Sequence, residues 1–163
     1  INNLPGYFPF VRGKNIHENH WLVRQDIVIN DMAEANKKAL DVSLKGVDSL
    51  GIVFPENISP GEKKMEKLLK NIRADIIELN FSGGEPNKIL KAVDSLSKKY
   101  NRDLEKVKGS LDVDPLGEFS TKGRFAAGKK EDFNKLLELF KTGKHLPAFQ
   151  LITINAHLFH NAG

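Results

Sequence analysis

The sequence predicts an α/β fold, on the strength of three observations. Short apolar runs rich in β-formers alternate with segments whose apolar residues recur at helical spacing. The helical segments are long enough to connect parallel strands, which need crossovers of a dozen or more residues. Glycine and proline separate the segments. From this pattern alone, five strands favour a doubly wound parallel sheet, because a closed (β/α)8 barrel needs ~200 residues or more.

The first strand and helix are predicted before residue 47, and a second strand follows. The run WLVRQDIVI at 21–29 is rich in β-formers and predicts the first strand. Asn30 and Asp31 are typical of a helix cap, and the helix they introduce ends near Gly46. The continuous apolar run LGIVF at 50–54 predicts the second strand.

The second helix has the clearest pattern in the chain. Ser59 and Glu62 have capping-box spacing, with Pro60 at the first helical position. Apolar residues follow at i, i+3, i+4 and i+7, namely Met65, Leu68, Leu69 and Ile72. The intervening basic residues are typical of the solvated face of an amphipathic helix. No aromatic residues lie among them, so a nucleic-acid partner is not expected.

The second half of the chain continues the alternation. DIIELNF at 75–81 predicts a strand that Gly83 and Gly84 end, and a helix starts at Pro86. GSLDV at 109–113 predicts a weaker strand, followed by a glycine-dotted loop to about residue 130.

The last helix and strand complete a single predicted domain. The helix has its apolar residues at helical spacing and stops near Gly143. These apolar residues are Phe133, Leu136, Leu137 and Phe140. The last strand is FQLITIN at 149–155, and HLFHNAG follows it like a strand-to-helix loop.

Composition excludes several classes of protein. The 163 residues are 40% hydrophobic and 28% charged, which is typical of a folded domain rather than a disordered chain. The absence of cysteine excludes a disulfide scaffold, a cysteine nucleophile and a thiolate metal site. Neither a signal peptide nor a membrane span is recognisable, so we expect a cytoplasmic protein without a membrane partner. A net charge of +4 favours anionic partners slightly.

The candidate chemistry lies after the strands, where parallel α/β folds bind ligands. Asp112 and Asp114 alternate along a strand and are either a carboxylate pair or strand-end residues bonded to backbone. His157 and His160 would pair on a metal only if helical, and no metal site is expected. No phosphate-binding glycine loop or serine nucleophile elbow is present.

Three segments of the chain contain motifs of a known family. PGYFPFVRGKNIHENHWLVRQ at 5–25 is similar to the P-G-x-[FY]-P-[FY]-x-R-G and W-x-x-R-Q signature of the methylmalonyl-CoA mutase family. ITINAHLFHNAG at 152–163 resembles a strand-and-loop pattern of the family, and GSLDVDPLGE at 109–118 its fourth-strand segment. The resemblance implies that 1–163 form one domain, the first five strands of a (β/α)8 substrate barrel cut after the fifth. It also implies that no cobalamin-binding domain lies in this chain.

The family resemblance implies a reaction, and the departures from it imply a role. Mutases of this family interconvert (R)-methylmalonyl-CoA and succinyl-CoA with adenosylcobalamin. Catalytic chains carry a Tyr and an Arg before W-x-x-R-Q that are absent here, and a His where this chain has Leu158. Leucine cannot donate a proton. The chain therefore resembles the small, non-catalytic subunit, with a large catalytic subunit as its partner and no catalytic residue of its own.

Several expectations follow from the resemblance. Adenosylcobalamin is expected to bind elsewhere in the assembled enzyme, because none of the five histidines lies in the family's D-x-H-x-x-G motif. The apolar last strand would leave a free edge, so the fragment is expected to self-associate or to be only marginally stable. The candidate substrate-binding residues are Arg12, Arg24, Asn155, His157 and His160.

Two alternatives remain open at this point. In the first, the chain is a catalytic acyl-CoA mutase in which His157 or His160 replaces the missing histidine. In the second, it is an unrelated small-molecule-binding α/β protein.

Overall fold

The protein forms a five-stranded parallel sheet with helical crossovers. The computed structural model describes residues 4, 6–8, 21–55, 58 and 61–160, apart from the side chains of 158 and 159. The strands are β1 Arg24–Val28, β2 Ser49–Val53, β3 Glu78–Ser82, β4 Gly109–Leu111 and β5 Phe149–Gln150. The helices are α1 Met32–Leu44, α2 Glu62–Leu68, α3 Pro86–Lys99, α4 Pro115–Lys122, α5 Lys129–Gly143 and α6 His157–His160. Within the described ranges, no helix combines the length and apolar character needed to cross a bilayer.

The order of the strands distinguishes the two expected architectures. Each strand pairs in parallel with the next one in the chain, giving the order β1-β2-β3-β4-β5. A doubly wound sheet reverses its strand order at a switch point and has helices on both faces. Here α1 contacts α2, α2 contacts α3, and α3 contacts α5, so the helices form one layer. The partial (β/α)8 barrel is confirmed, and the doubly wound sheet is wrong.

The two faces of the sheet differ in chemistry. One row across the strands places Ile27, Ile52, Phe81 and Leu111 side by side, each at most 2% exposed. This row packs under the helices and forms the core with helix residues such as Leu90. We call the opposite side of the sheet the inner face, since it is the side that lines the interior of a barrel. Because side chains alternate along a strand, the inner face receives the polar residues.

The ends of α1 and α2 test two capping predictions. Asp31 is the N-cap of α1, as predicted, and accepts hydrogen bonds from the backbone nitrogens of Ala33 and Glu34. The predicted start of α2 is wrong, because Gly61 is its N-cap and makes no side-chain cap bond. Ser59 and Pro60 lie outside the described residues.

Helix α2 is also shorter than its apolar pattern predicts. It ends at Leu68, and Ile72 is buried beyond the helix. Asn71, between them, has a left-handed backbone with φ of 63°. The apolar residues are therefore all buried, but the last of them reaches the core from a turn.

The strands are shorter than their apolar runs. Residues 75–77 form a turn before β3, in which the backbone nitrogens of Ile76 and Ile77 donate to the carbonyl of Arg73. The guanidinium of Arg73 also bonds Asp75 at 2.7 and 2.9 Å. Strand β4 ends at Leu111 and β5 at Gln150, so 112–113 and 151–155 are not strand. The predicted lengths at these three places are wrong.

Helix α4 replaces part of the predicted glycine-dotted loop. Asp114 caps it by accepting a hydrogen bond from the backbone nitrogen of Gly117, and Pro115 is its first residue. Gly123 ends it with φ of 65°. Proline at the start and glycine past the end are a known helix signature, and this signature could have revealed α4 in the sequence.

Candidate functional site

The inner face of the barrel wall contains a row of four polar residues and one glycine. The register aligns Asp26, Gly51, Asn80, Ser110 and Gln150 on the five successive strands. These positions alternate with the apolar rows that pack under the helices. The same backbone pattern that builds the core therefore places polar groups inside the barrel.

Asn80 is the centre of a hydrogen-bond network on this face. Its side chain is 6% exposed, and its Nδ2 donates to Ser49 Oγ at 2.9 Å and to Glu78 Oε1 at 2.8 Å. Its Oδ1 accepts a hydrogen bond from Ser110 Oγ at 2.6 Å. Ser49 Oγ in turn donates to Glu78 Oε1 at 3.1 Å. The network joins β2, β3 and β4, and its polar groups bond one another.

An ion pair covers the neighbouring part of the inner face. Arg24 Nε donates to Asp26 Oδ1 at 2.8 Å, with both side chains about half exposed. A Cβ atom on Gly51 of β2 would lie 1.8 Å from that carboxylate oxygen and 2.8 Å from a terminal nitrogen of Arg24. The pair therefore occupies the space that glycine leaves open. An exposed pair of this kind adds little stability, but it covers the backbone of β2.

A cleft of about 390 Å³ opens beside the network. Its walls include Arg24, Asn80, Ser110, Asp112 and Asn155. Two of the candidate substrate-binding residues, Arg24 and Asn155, are thus brought to one cleft.

Asn155 is held in place by two hydrogen bonds. Its backbone nitrogen donates to Asp114 Oδ2 at 2.9 Å, and its side-chain Oδ1 accepts from the backbone nitrogen of His157 at 3.2 Å. The carboxylate of Asp114 therefore accepts backbone hydrogen bonds at two places, since it also caps α4. Asp112 lies beyond the end of β4 and is exposed, so the two aspartates do not alternate along one strand. The expectation of a shared strand face is wrong.

His157 and His160 are not among the residues that line the cleft. His157 and His160 are both on α6, and their rings stack with centroids 6.3 Å apart. The helical condition for a metal pair is therefore met. Among the described residues, however, no group of three or more carboxylate or histidine side chains could hold a metal ion. Arg12 lies outside the described residues.

The sequence analysis missed most members of the network. They are Ser49, Glu78 and Ser110, and Asp26 of the neighbouring ion pair was missed as well. A usable signal was present in β3, where E-L-N-F-S alternates polar and apolar residues with the period of a strand. That alternation indicates one polar face and one buried face.

Two aspartates outside the inner face have lowered pKa values. The backbone nitrogens of Glu34 and Ala33 donate to Asp31 and lower its pKa. The side-chain hydrogen bond from Arg73 lowers the pKa of Asp75. In both cases the ionised form is the one that is bonded. These two hydrogen-bonded carboxylates affect the stability of the fold, and neither residue lines the cleft.

Comparison with known proteins gives a consistent result. The family model described as methylmalonyl-CoA mutase matches residues 61–163. The methylmalonyl-CoA mutase small subunit of Porphyromonas gingivalis (strain ATCC BAA-308 / W83) is 37% identical over 165 residues. That match covers 99% of this chain and 26% of the relative. The chain thus spans about a quarter of the length of this curated relative.

Proposed function

Because this chain belongs to the methylmalonyl-CoA mutase family, we propose that it is part of a methylmalonyl-CoA mutase and serves as the structural small subunit. Such an enzyme interconverts (R)-methylmalonyl-CoA and succinyl-CoA. The name of the Porphyromonas gingivalis relative supports the choice of subunit. In this proposal, residues 1–163 are the N-terminal portion of the substrate barrel.

The hydrogen-bond network on the inner face carries the proposal. A channel for a ligand needs polar groups that are free to bind it. Here Asn80 is buried, and both ends of its amide already bond to protein side chains. The Arg24–Asp26 pair likewise covers Gly51. These contacts favour a self-contained wall over a substrate channel.

The residue at the position of the family's histidine supports the same role. When residues 152–163 are aligned with the family's strand-and-loop motif, Leu158 stands where catalytic chains have a histidine. Leucine has no group that donates a proton or a hydrogen bond. His157 and His160 are neighbours in sequence, but they lie outside the lining of the cleft. The proposal therefore assigns no catalytic residue to this chain.

The family uses cobalamin, and we place its binding elsewhere in the assembled enzyme. The described histidines do not fit a lower ligand to cobalt. His145 Nδ1 lies 3.2 Å from Lys98 Nζ and 3.6 Å from Asp94 Oδ2 at the protein surface. His157 and His160 stack on each other. No step of a reaction is assigned to cobalamin in this chain.

The proposed partner is a large catalytic mutase subunit. The words "small subunit" in the relative's name support a larger counterpart. Self-association through the edge of β5 is a second expectation. In the part of the chain that the structure describes, β5 pairs with β4 on one side and with no strand on its other side.

The test combines turnover and binding measurements. The purified chain, with added adenosylcobalamin, is expected to give no succinyl-CoA, and calorimetric titration with coenzyme A is expected to give no binding heat. When the chain is mixed with a large catalytic subunit, the two are expected to co-elute. Turnover of that mixture should be unchanged by Arg24→Ala in this chain.

Two results would contradict the proposal, and they point to different alternatives. Turnover by the chain alone that His157→Ala abolishes would support a catalytic chain with rearranged residues. Tight coenzyme A binding that Arg24→Ala and Asn155→Ala both weaken, without turnover, would support a small-molecule-binding protein. Gln150→Ala is the matched control, since Gln150 is exposed on the same face and is not a lining residue of the cleft.

A further inference from the structure

A cavity of about 460 Å³ lies on the helix side of the barrel wall, and we call it the outer cavity. Its lining comes from the start of α3, the segment after β4, and helices α4 and α5. Among its apolar lining residues, Leu139 is 2% exposed, and Val113 and Leu136 are half-buried. This volume and these apolar walls are typical of a site for a small organic molecule.

The charged lining of the outer cavity is mainly acidic. Its carboxylates belong to Asp112, Asp114, Glu118 and Asp132, and Lys135 is the single basic residue that the structure describes in the lining. Four carboxylates and one ammonium group leave an excess of negative charge at neutral pH. Walls of low dielectric constant focus the field of such charges and attract cations to the cavity.

Two of these carboxylates have unused capacity to accept hydrogen bonds. The side chain of Asp112 has neither a hydrogen bond nor an ion pair among the described residues. Asp132 is 9% exposed, and both of its oxygens lie 3.3 Å from a single donor, the backbone nitrogen of Ala127. Lys135 Nζ lies closer to Glu131, at 3.1 Å, than to Asp132, at 3.8 Å. The lysine therefore leaves the buried carboxylate incompletely paired.

A buried neutral acceptor in the same lining also lacks a donor. Asn87 Nδ2 donates to the backbone carbonyl of Lys135 at 3.2 Å, but Asn87 Oδ1 is buried and has no hydrogen-bond partner. A buried acceptor that has lost water and gained no donor destabilises the fold. A donor inside the cavity would satisfy it after a small rotation of the amide. This observation is independent of the carboxylates, and it also indicates a ligand that donates hydrogen bonds.

We propose that the outer cavity binds a primary alkylammonium ion. The ammonium group has three donors, which match the acceptors of Asp112, Asp132 and Asn87, and the alkyl chain packs against Val113 and Leu139. A divalent metal ion does not fit, because no group of three or more carboxylate or histidine side chains in the described ranges could hold one. The proposal does not depend on the proposed function, since a structural subunit and a catalytic chain would have the same cavity.

The outer cavity and the cleft on the inner face are separate sites. They share Asp112 and Asn155 at the edge of the wall. Arg24 and Asn80 line only the cleft, whereas the residues of α3 and α5 line only the outer cavity. The position of a bound ligand can therefore be assigned from the residues that respond to it.

The test is a titration of the isotope-labelled 163-residue chain with n-butylammonium chloride, followed by amide chemical shifts in NMR spectra. n-Butanol and sodium butyrate are the matched probes, because each keeps an alkyl chain and replaces the cation by an uncharged or an anionic group. We expect n-butylammonium to bind at least about tenfold more tightly than n-butanol, and butyrate not to bind. The amides that shift should include Gly117 and Leu139, which line the outer cavity, and not Asn80.

Three variants identify the carboxylates. Asp112→Asn should leave the fold intact and lower the affinity for n-butylammonium at least about threefold, because this exposed carboxylate bonds nothing else. Asp132→Asn should lower it at least about tenfold, since the carboxylate is buried. Glu138→Gln is the matched control, because Glu138 is an exposed carboxylate of α5 outside the lining, and the affinity should change less than about twofold. Circular dichroism verifies the fold, and Asp112→Asn alone decides if Asp132→Asn is unfolded.

Several results would contradict the proposal. They are the absence of a saturable shift with n-butylammonium, equal affinities for n-butylammonium and n-butanol, and equal effects of Asp112→Asn and Glu138→Gln. Shifts confined to Arg24 and Asn80 would contradict it as well, because they would place the cation in the cleft on the inner face.

Discussion

Replacement of Asn80 by alanine tests the inner-face network directly. The side chain is 6% exposed and takes part in three hydrogen bonds of 2.6 to 2.9 Å. One hydrogen bond contributes a net ~1 kcal/mol to stability, so the three together contribute about 3 kcal/mol. Water in the adjoining cleft can replace the bond to Ser110, which lowers the expected loss to about 2–3 kcal/mol.

Thermal unfolding followed by circular dichroism measures this loss. For a domain of this size, 1 kcal/mol changes Tm by roughly 2–4 °C, so Asn80→Ala should lower Tm by roughly 5–10 °C. Gln150→Ala is the control, because Gln150 lies in the same row of the inner face and is exposed. An exposed substitution changes stability by about 0.5 kcal/mol or less.

A second variant tests the charges of the network. Asn80→Asp keeps the shape of the side chain but replaces Nδ2 by a carboxylate oxygen. In the parent protein, Nδ2 lies 2.8 Å from Glu78 Oε1. Two carboxylates in contact raise the pKa of one of them in the folded state. Stability should therefore be greatest at acid pH and fall as pH rises through that raised pKa. A change in Tm for Asn80→Ala that is no larger than the change for Gln150→Ala would refute the stabilising role of the network.

Further predictions concern the loops, the surface and the assembly. Gly83→Ala should lower the urea midpoint more than Gly123→Ala. Both have positive φ, which costs ~1–2 kcal/mol, but only at Gly83 would the new Cβ meet a backbone oxygen, that of Phe54 at 2.3 Å; equal midpoints would contradict this. The hydrogen bond from Arg73 lowers the pKa of Asp75, so its stabilisation is present above the unfolded pKa and is lost as pH falls through the folded pKa. Asp75→Asn should therefore flatten the pH dependence of stability below about pH 4, and unchanged curves would refute the assignment. Light scattering on dilute protein should give a mass above that of one chain, whereas a stable monomer would exclude self-association through β5.

The strands and most helices were predictable because their signals are local. Asp31 caps α1 where the sequence places a cap. Strand β1 falls within its predicted run, and β2 begins and ends one residue before its own. The order of the strands was not predictable from pattern, because alternation fits both a barrel and a doubly wound sheet. The family resemblance implied the barrel, and the register between neighbouring strands confirms it.

The site was harder to predict, since it depends on contacts between strands far apart in sequence. Asn80 bonds Ser49 and Ser110 across 31 and 30 residues. Neither serine is unusual in its own strand, so only the register brings the three together. The pattern of α5 shows a similar limit of local signals. Helical periodicity places Phe133 and Phe140 on one side of the helix, but it does not show that they stay 40% and 47% exposed.

The same hydrogen bonds link the stability of the barrel wall to its affinity for ligands. A ligand that enters the inner face at Asn80 must break bonds that the protein already makes. If it returns none of them, its binding free energy is weakened by about 3 kcal/mol, which is a loss of more than about a hundredfold in affinity. The expected absence of coenzyme A binding therefore depends on the same hydrogen-bond energy as the Tm prediction for Asn80→Ala. If that variant is as stable as the parent, the network offers no resistance to a ligand, and the case for a structural subunit then depends on Leu158 and the family relationship alone.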